Sequence, residues 1–309
     1  MKTFEQYKIM FREKGVIYTL TNTALGVLKI LSWNNLIKRF REYRVYYGLK
    51  KYYNNTFQYN TIGNTCNHNT SLVRPRIWIC WLQGLECAPS LVKTCVESIY
   101  SFYQKNEIII LTYNNLSEYV EIPDYIQEKH EKGLISPAHF SDIIRVALLT
   151  QHGGVWIDAT VLLTGEIPAD IMQSDFFCYR NTQTAFSKIK ASNWFIVSKP
   201  NNPILCCVRN MLFIYWKKEN RAKNYFIFHF FFAITISKNA ECRNIWINTP
   251  NYSNYKNHLL QEQLLKPFNQ QTYEVICKET TVHKLTYKLP LDDNNVVKES
   301  FYEFLTLKQ

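Results

Sequence analysis

Three short apolar runs, each joined to a stretch with helical spacing, constrain this chain more than any other feature. Arg76–Trp81 (RIWICW) precedes apolar residues at helical spacing over Pro89–Tyr103. Glu107–Tyr113 (EIIILTY) is a second run, closed by Asn114-Asn115. Val155–Leu163 (VWIDATVLL) is a third, read as one strand interrupted by a single acid. It is reached through a helix predicted over Pro137–His152, with Phe140, Ile143, Ile144, Ala147 and Leu148 on its apolar side and Gly153-Gly154 as its C-cap. Buried strands alternating with helices predict an α/β fold with a mostly parallel central sheet. In such sheets ligands gather beyond the carboxyl ends of the strands. Trp81–Gly84, Tyr113–Asn115 and Asp158–Thr160 fall at such ends. Asp175–Arg180 and Trp194–Ser198 read as further strands, and Asn202–Lys217 and Arg221–Ile236 as helices.

Before this region the pattern differs. Residues 1 to about 58 read as basic, amphipathic helices, and the polar, turn-rich Asn60–Ser71 reads as a linker. The expected division is a basic helical region over residues 1–70 and a catalytic domain with helical insertions over 71–309. Net charge is +11, and the excess concentrates in the first 60 residues. Such a surface suits an anionic membrane or an anionic substrate. Nucleic acid is not expected as a partner, because the basic residues lie apart from the aromatic α/β region and no binding motif of that kind occurs. Gly15–Trp33 is too polar to span a bilayer, and Tyr225–Ser237 is shorter than the ~20 residues a span requires. The nine cysteines are scattered through apolar runs without CxxC or zinc spacing, which reads as free thiols. With no signal-peptide pattern at Met1, the expectation is a cytoplasmic protein, peripheral at most on the inner membrane face.

The chemistry concentrates in Ser136–Thr164. A helix presents Asp142 and Arg145 at i, i+3, a Gly-Gly turn follows, and the next strand carries Asp158. A guanidinium between two carboxylates suits sugar hydroxyls and a diphosphate. Asp142 with Arg145 also fits a plain helix-surface ion pair. Asp158 is harder to explain as decoration, since a carboxylate in an apolar strand costs free energy unless paired or ligating. An acid at a strand end also suits a divalent cation facing a leaving diphosphate.

The string SDIIR…GGVWIDAT resembles the SDxxR…GG-x-[WY]-[IL]-D-x-[DT] signature of glycosyltransferases with a DxD sugar-binding region. It is most similar to the capsular polysaccharide synthesis proteins of glycosyltransferase family 32, and more distantly resembles the large glucosylating toxins. RIWICWLQG, EIPDYIQEKHEKGLISPAHFSD, SNWFIVSKPNNPI, YWKKENRAKNYFIFHFFF and HKLTYK extend the likeness over roughly residues 72–290. The resemblance implies a Rossmann-like GT-A fold. It implies that Trp81 stacks on the donor base, that Asp142 and Arg145 hold the donor sugar and phosphates, and that Asp158 ligates Mn²⁺ or Mg²⁺. Thr160 replaces the second Asp of DxD, a poorer cation ligand that puts metal dependence in question. His283 is a candidate further metal contact, and Lys284 could cap the leaving diphosphate. Gln83 and Asn114 are candidate nucleotide contacts; His139 is either a site residue or part of the helix N-cap.

The implied reaction is retaining transfer from a nucleotide sugar, UDP-linked, to a glycan or lipid-linked oligosaccharide acceptor in capsule or surface polysaccharide synthesis. No catalytic carboxylate dyad is apparent in the sequence. The alternative is a catalytically inactive protein that binds a nucleotide sugar or a glycan and acts as a regulator.

Overall fold

The computed structural model describes residues 34–54, 75–181, 188–289 and 298–307. The expected helix around Gly15–Trp33 and the linker Asn60–Ser71 lie outside the described residues. After helix α1 (Asn34–Asn54) the chain runs through β1 (Ile77–Cys80), α2 (Ser90–Tyr100), β2 (Ile108–Leu111), α3 (Asp124–Glu131), α4 (Pro137–His152) and β3 (Gly154–Ile157). The second half holds β4 (Val161–Leu163), β5 (Phe176–Arg180), β6 (Ala191–Ser198), α5 (Pro203–Lys218), α6 (Ile227–Lys238) and α7 (Ala240–Asn248). It closes with α8 (Gln270–Glu279), β7 (Val282–Lys284) and α9 (Phe301–Leu307).

The central sheet has the order β2-β1-β3-β6-β5. β1 pairs parallel with both β2 and β3, whereas β6 is antiparallel to β3 and to β5. Four strands therefore point one way and β6 opposes them, as expected of a mostly parallel sheet. Side chains alternate across it with period two. Ile77, Ile79, Val155, Ile157, Phe195 and Val197 pack on the face covered by α2. Trp78, Trp156, Ile196 and Cys178 pack on the other face, under α4, α5 and α6. β1 leads through α2 to β2 on one side, and the chain returns through α4 to β3 on the other. The carboxyl ends of β1 and β3 thus flank a topological switch point, where α/β sheets open a crevice.

α6 explains the apolar run that is too short to cross a membrane. Phe228, Phe230, Phe231 and Phe232 are all buried, because α6 has neighbours on every side: α1, α5, α7 and the sheet. Fully burying each ring contributes roughly 1.5–3 kcal/mol. α1 joins the same core through Tyr46, Leu49, Tyr52 and Tyr53, and the Tyr52 hydroxyl donates to Glu219 at 2.6 Å. No helix among the described residues is long and apolar enough to cross a membrane.

One expected element is different. Val155–Leu163 is two strands, with a turn at Asp158–Thr160 in which the Val161 amide donates to the Asp158 carbonyl at 2.9 Å. β4 leaves the central sheet and pairs antiparallel with β7. The physical reason is the acid itself: a strand buried on both faces has no place for a carboxylate, so the chain bends where Asp158 reaches polar partners. The Gly-Gly turn before β3 is a matter of close approach. Gly153 caps α4 at φ +64° and its carbonyl accepts from the Trp78 indole at 2.8 Å. A Cβ on Gly154, at φ +100°, would lie 2.5 Å from the Arg76 carbonyl oxygen. Only glycine lets β3 come in beside β1 here.

Candidate active site

A cavity of about 960 Å³ opens at the carboxyl ends of β1 and β3. Its floor is built around Arg145. Ser136 caps the N-terminus of α4, Pro137 follows at the first helical position, and two turns on Arg145 emerges with a side chain only 5% exposed. The guanidinium lies 3.2 Å from Asp142 Oδ1 and 3.1 Å from Asp158 Oδ1, and donates to the Asn193 carbonyl at 2.7 Å and to Ser141 Oγ at 3.2 Å. The Trp156 indole also donates to Asp158 Oδ1, at 2.9 Å, and the Asn193 side chain donates to Asp142 Oδ1 at 2.8 Å. The guanidinium sits 5.0 Å from the Trp156 ring centroid. Both carboxylates are thus tied to one cation, which offsets the cost of holding them out of water.

Lys284 arrives from β7, opposite Val161 of β4. Its ammonium donates to Thr160 Oγ1 and lies 3.7 Å from Asp158 Oδ2. Burial pushes its pKa down, and Asp158 opposes that shift. Trp81, Tyr225 and Tyr287 give the cavity aromatic walls, with Trp81 and Tyr287 edge to face at 5.5 Å. Gln83, exposed, stands at the rim after β1.

The structure brings together Trp81, Gln83, Asp142, Arg145, Asp158, Thr160 and Lys284, all lining this cavity. Asn114 and His283 are not among its lining residues. Asn114 is exposed in the turn after β2, where its neighbour Asn115 accepts from the Thr112 amide at 2.8 Å and donates to the Ile110 carbonyl at 2.9 Å. His283 is fully buried and on the opposite side of β7 from Lys284, since neighbours on a strand face opposite ways. Its Nε2 is 2.9 Å from Thr164 Oγ1, and burial pushes its pKa down to about 4. His139 is buried in the first turn of α4, its ring 2.9 Å from Ser136 Oγ, in the capping role.

Asn193, Tyr225, His229 and Tyr287 were not singled out from sequence. His229 interrupts the apolar run of α6 and lines the cavity. Its Nδ1 is buried without a partner, and burial followed by Arg145 pushes its pKa down to about 3, so it is a neutral imidazole. A histidine within the aromatic run at the start of the helix was the available signal. Asn193, which closes the ring of bonds around Asp142, gave a weaker one as a polar residue in a strand.

The residues at Asp158 do not fit a divalent cation. Oδ1 accepts from Arg145 and Trp156, and Oδ2 faces the Lys284 ammonium. The Thr160 hydroxyl is bonded by the same ammonium, and Asp142 is bonded by Arg145 and Asn193. Among the described residues no group of three or more His, Cys, Asp or Glu could hold a metal ion.

Asp142 makes the site sensitive to pH. Burial pushes its carboxyl up from 3.8 to about 6, against the pull of Arg145. Folding therefore favours the protonated form. Its contribution to stability is greatest below the ordinary value and declines as pH rises to about 6, where the buried carboxylate forms. Asp142→Asn cannot ionise. Denaturant titrations across this range should show the difference between variant and wild type moving in the variant's favour as pH rises; movement the other way would contradict the burial argument.

Comparison with known proteins adds the family. A solved structure titled PaToxG Glycosyltransferase is similar at a TM-score of 0.40 and 13% identity, covering 79% of this chain and 99% of that one. No curated protein sequence matches. The profile of the capsular polysaccharide synthesis proteins matches residues 29–305, a span that takes in β1, α4, the Asp158 turn and Lys284. The chain belongs to the capsular polysaccharide synthesis protein family.

Proposed function

We propose that this chain is a GT-A-type glycosyltransferase, similar to family 32 enzymes. It moves a sugar from a nucleoside diphosphate donor, UDP-linked, to a hydroxyl of a capsular glycan or its lipid-linked precursor, with retention at the anomeric carbon. One observation carries the reading. In a capsular synthesis family member, two cations and two carboxylates converge under aromatic walls at the switch point of the sheet. Trp81 offers its ring to the donor base, and Asp142 with Arg145 holds the sugar and phosphates. The neutral His229 offers a ring nitrogen to a sugar hydroxyl.

In the transfer the bond between the anomeric carbon and the diphosphate oxygen breaks, and its electron pair leaves with the diphosphate. The acceptor oxygen bonds to the anomeric carbon, and its proton passes to the departing diphosphate. The protein's part is to hold charge where charge develops. Asp142 and Asp158 share Arg145 instead of flanking an open bond, which suits electrostatic stabilisation and not the acid–base pair of a glycosidase.

A thermal-shift screen of nucleotide sugars on the full chain tests the reading. One donor is expected to raise the melting temperature selectively. If no nucleotide sugar shifts it, the proposal fails. Binding with no turnover, even with an acceptor glycan supplied, would favour the inactive binding protein.

The lipid-linked acceptor gives the basic N-terminal region a purpose. α1 exposes Arg39, Arg41 and Lys51 beside Phe40 and Tyr47, a mixture suited to an anionic bilayer surface. The chain is expected to float with liposomes containing anionic lipid and to be released by salt. Equal flotation with neutral liposomes would contradict this electrostatic docking.

A further inference from the structure

The Asp158 turn and β7 are built as one unit. β4 begins at Val161, straight after the turn, and pairs antiparallel with β7 so that Lys284 stands opposite Val161. The Leu285 amide donates to the Thr160 carbonyl at 2.8 Å, fixing β7 to the turn itself. The ammonium is therefore placed by backbone pairing, not by a mobile loop. It touches the two side chains, Asp158 and Thr160, that the resemblance assigns to a cation.

We propose that Lys284, not a divalent cation, supplies the positive charge that neutralises the departing diphosphate, so that donor binding and transfer do not require a metal. This rests on the transferase reading given above. A doubly charged ion bound to Asp158 Oδ2 would sit beside the ammonium, which repels it. The three donors of the ammonium face Thr160, Asp158 and, at 3.3 Å, the Leu285 carbonyl; that long bond is the one a phosphate oxygen entering the cavity would replace. The Lys284 side chain is 18% exposed and lines the cavity. Arg145 is locked beneath by its four partners, and Lys288 lines the same cavity, so a diphosphate entering there meets cations on several sides. Thr160 then has its own explanation. A hydroxyl accepts from an ammonium and leaves the lysine charge available, whereas a second carboxylate would neutralise it.

The test is calorimetric titration of UDP, GDP, ADP and CDP into the full chain, in EDTA and in Mn²⁺, with donor turnover measured in the same buffers. For the diphosphate that binds, affinity in EDTA is expected to match that in Mn²⁺ within about twofold. Lys284→Ala should weaken binding at least about tenfold, and Lys284→Arg should keep most of it. The arginine variant also controls for a folding defect. Binding or turnover that appears only with Mn²⁺ overturns the proposal, as does a Lys284→Ala variant that binds like wild type. Lys284-dependent binding in EDTA with no turnover of any nucleotide sugar would keep the lysine as the diphosphate's cation and remove the transferase reading. No binding of any nucleoside diphosphate in either buffer would overturn both.

Discussion

Arg145→Met should lower the stability of the fold by about 3–5 kcal/mol, the usual cost of removing one partner from a buried ion pair. Arg145 is all but sealed from solvent and bridges Asp142, Asp158, Ser141 and the Asn193 carbonyl. Met fills a similar volume but leaves two carboxylates uncompensated, with only Asn193, Trp156 and Lys284 to share between them. For a chain of 309 residues the loss corresponds to a fall in melting temperature of roughly 5–8 °C. Arg145→Lys keeps the charge but not the planar fork, so it should recover part of the stability and little of the function. A melting temperature for the Met variant within a degree or two of wild type would show that the ion cluster is not structural.

Asp158→Asn is the complementary case, in which function goes and the fold stays. The amide oxygen can still accept from Arg145 and Trp156, so packing under the turn is preserved. The amide nitrogen, however, faces the Lys284 ammonium in place of Oδ2. Donor meets donor, and the lysine loses its carboxylate partner while its bond to Thr160 remains. Loss of one preorganised charge contact of this kind costs about 10²–10³ in turnover. Donor turnover should fall by that factor while the melting temperature moves far less than in Arg145→Met. Full turnover in Asp158→Asn would remove Asp158 from the machinery.

The parts of this site legible in the sequence were those set by short-range signals. Helix α4 was expected over Pro137–His152 and is found there, because Ser136, Pro137 and Gly153 mark its ends in any context. Asp142, Arg145 and Asp158 lie within 17 residues, so one helix and one turn suffice to assemble them. β4 was hidden because its partner, β7, lies more than a hundred residues away, and nothing local separates a strand that continues from one that leaves the sheet. The same distant pairing decides between His283 and Lys284. Period two requires that these neighbours face opposite ways, but which one enters the cavity depends on the register with β4. Tyr225 and His229 reach the site from α6 and the loop before it, whose apolar run advertises burial and not chemistry.

The most direct test of the transferase reading is release of nucleoside diphosphate from a panel of nucleotide sugars, by wild type and Asp158→Asn side by side with a capsular oligosaccharide present. The expected result is selective release from one donor by wild type, with sugar appearing on the oligosaccharide and the signal lost in the variant. Release from no donor by well-folded wild type, or equal release by the variant, would contradict the assignment of this cavity as the site of glycosyl transfer.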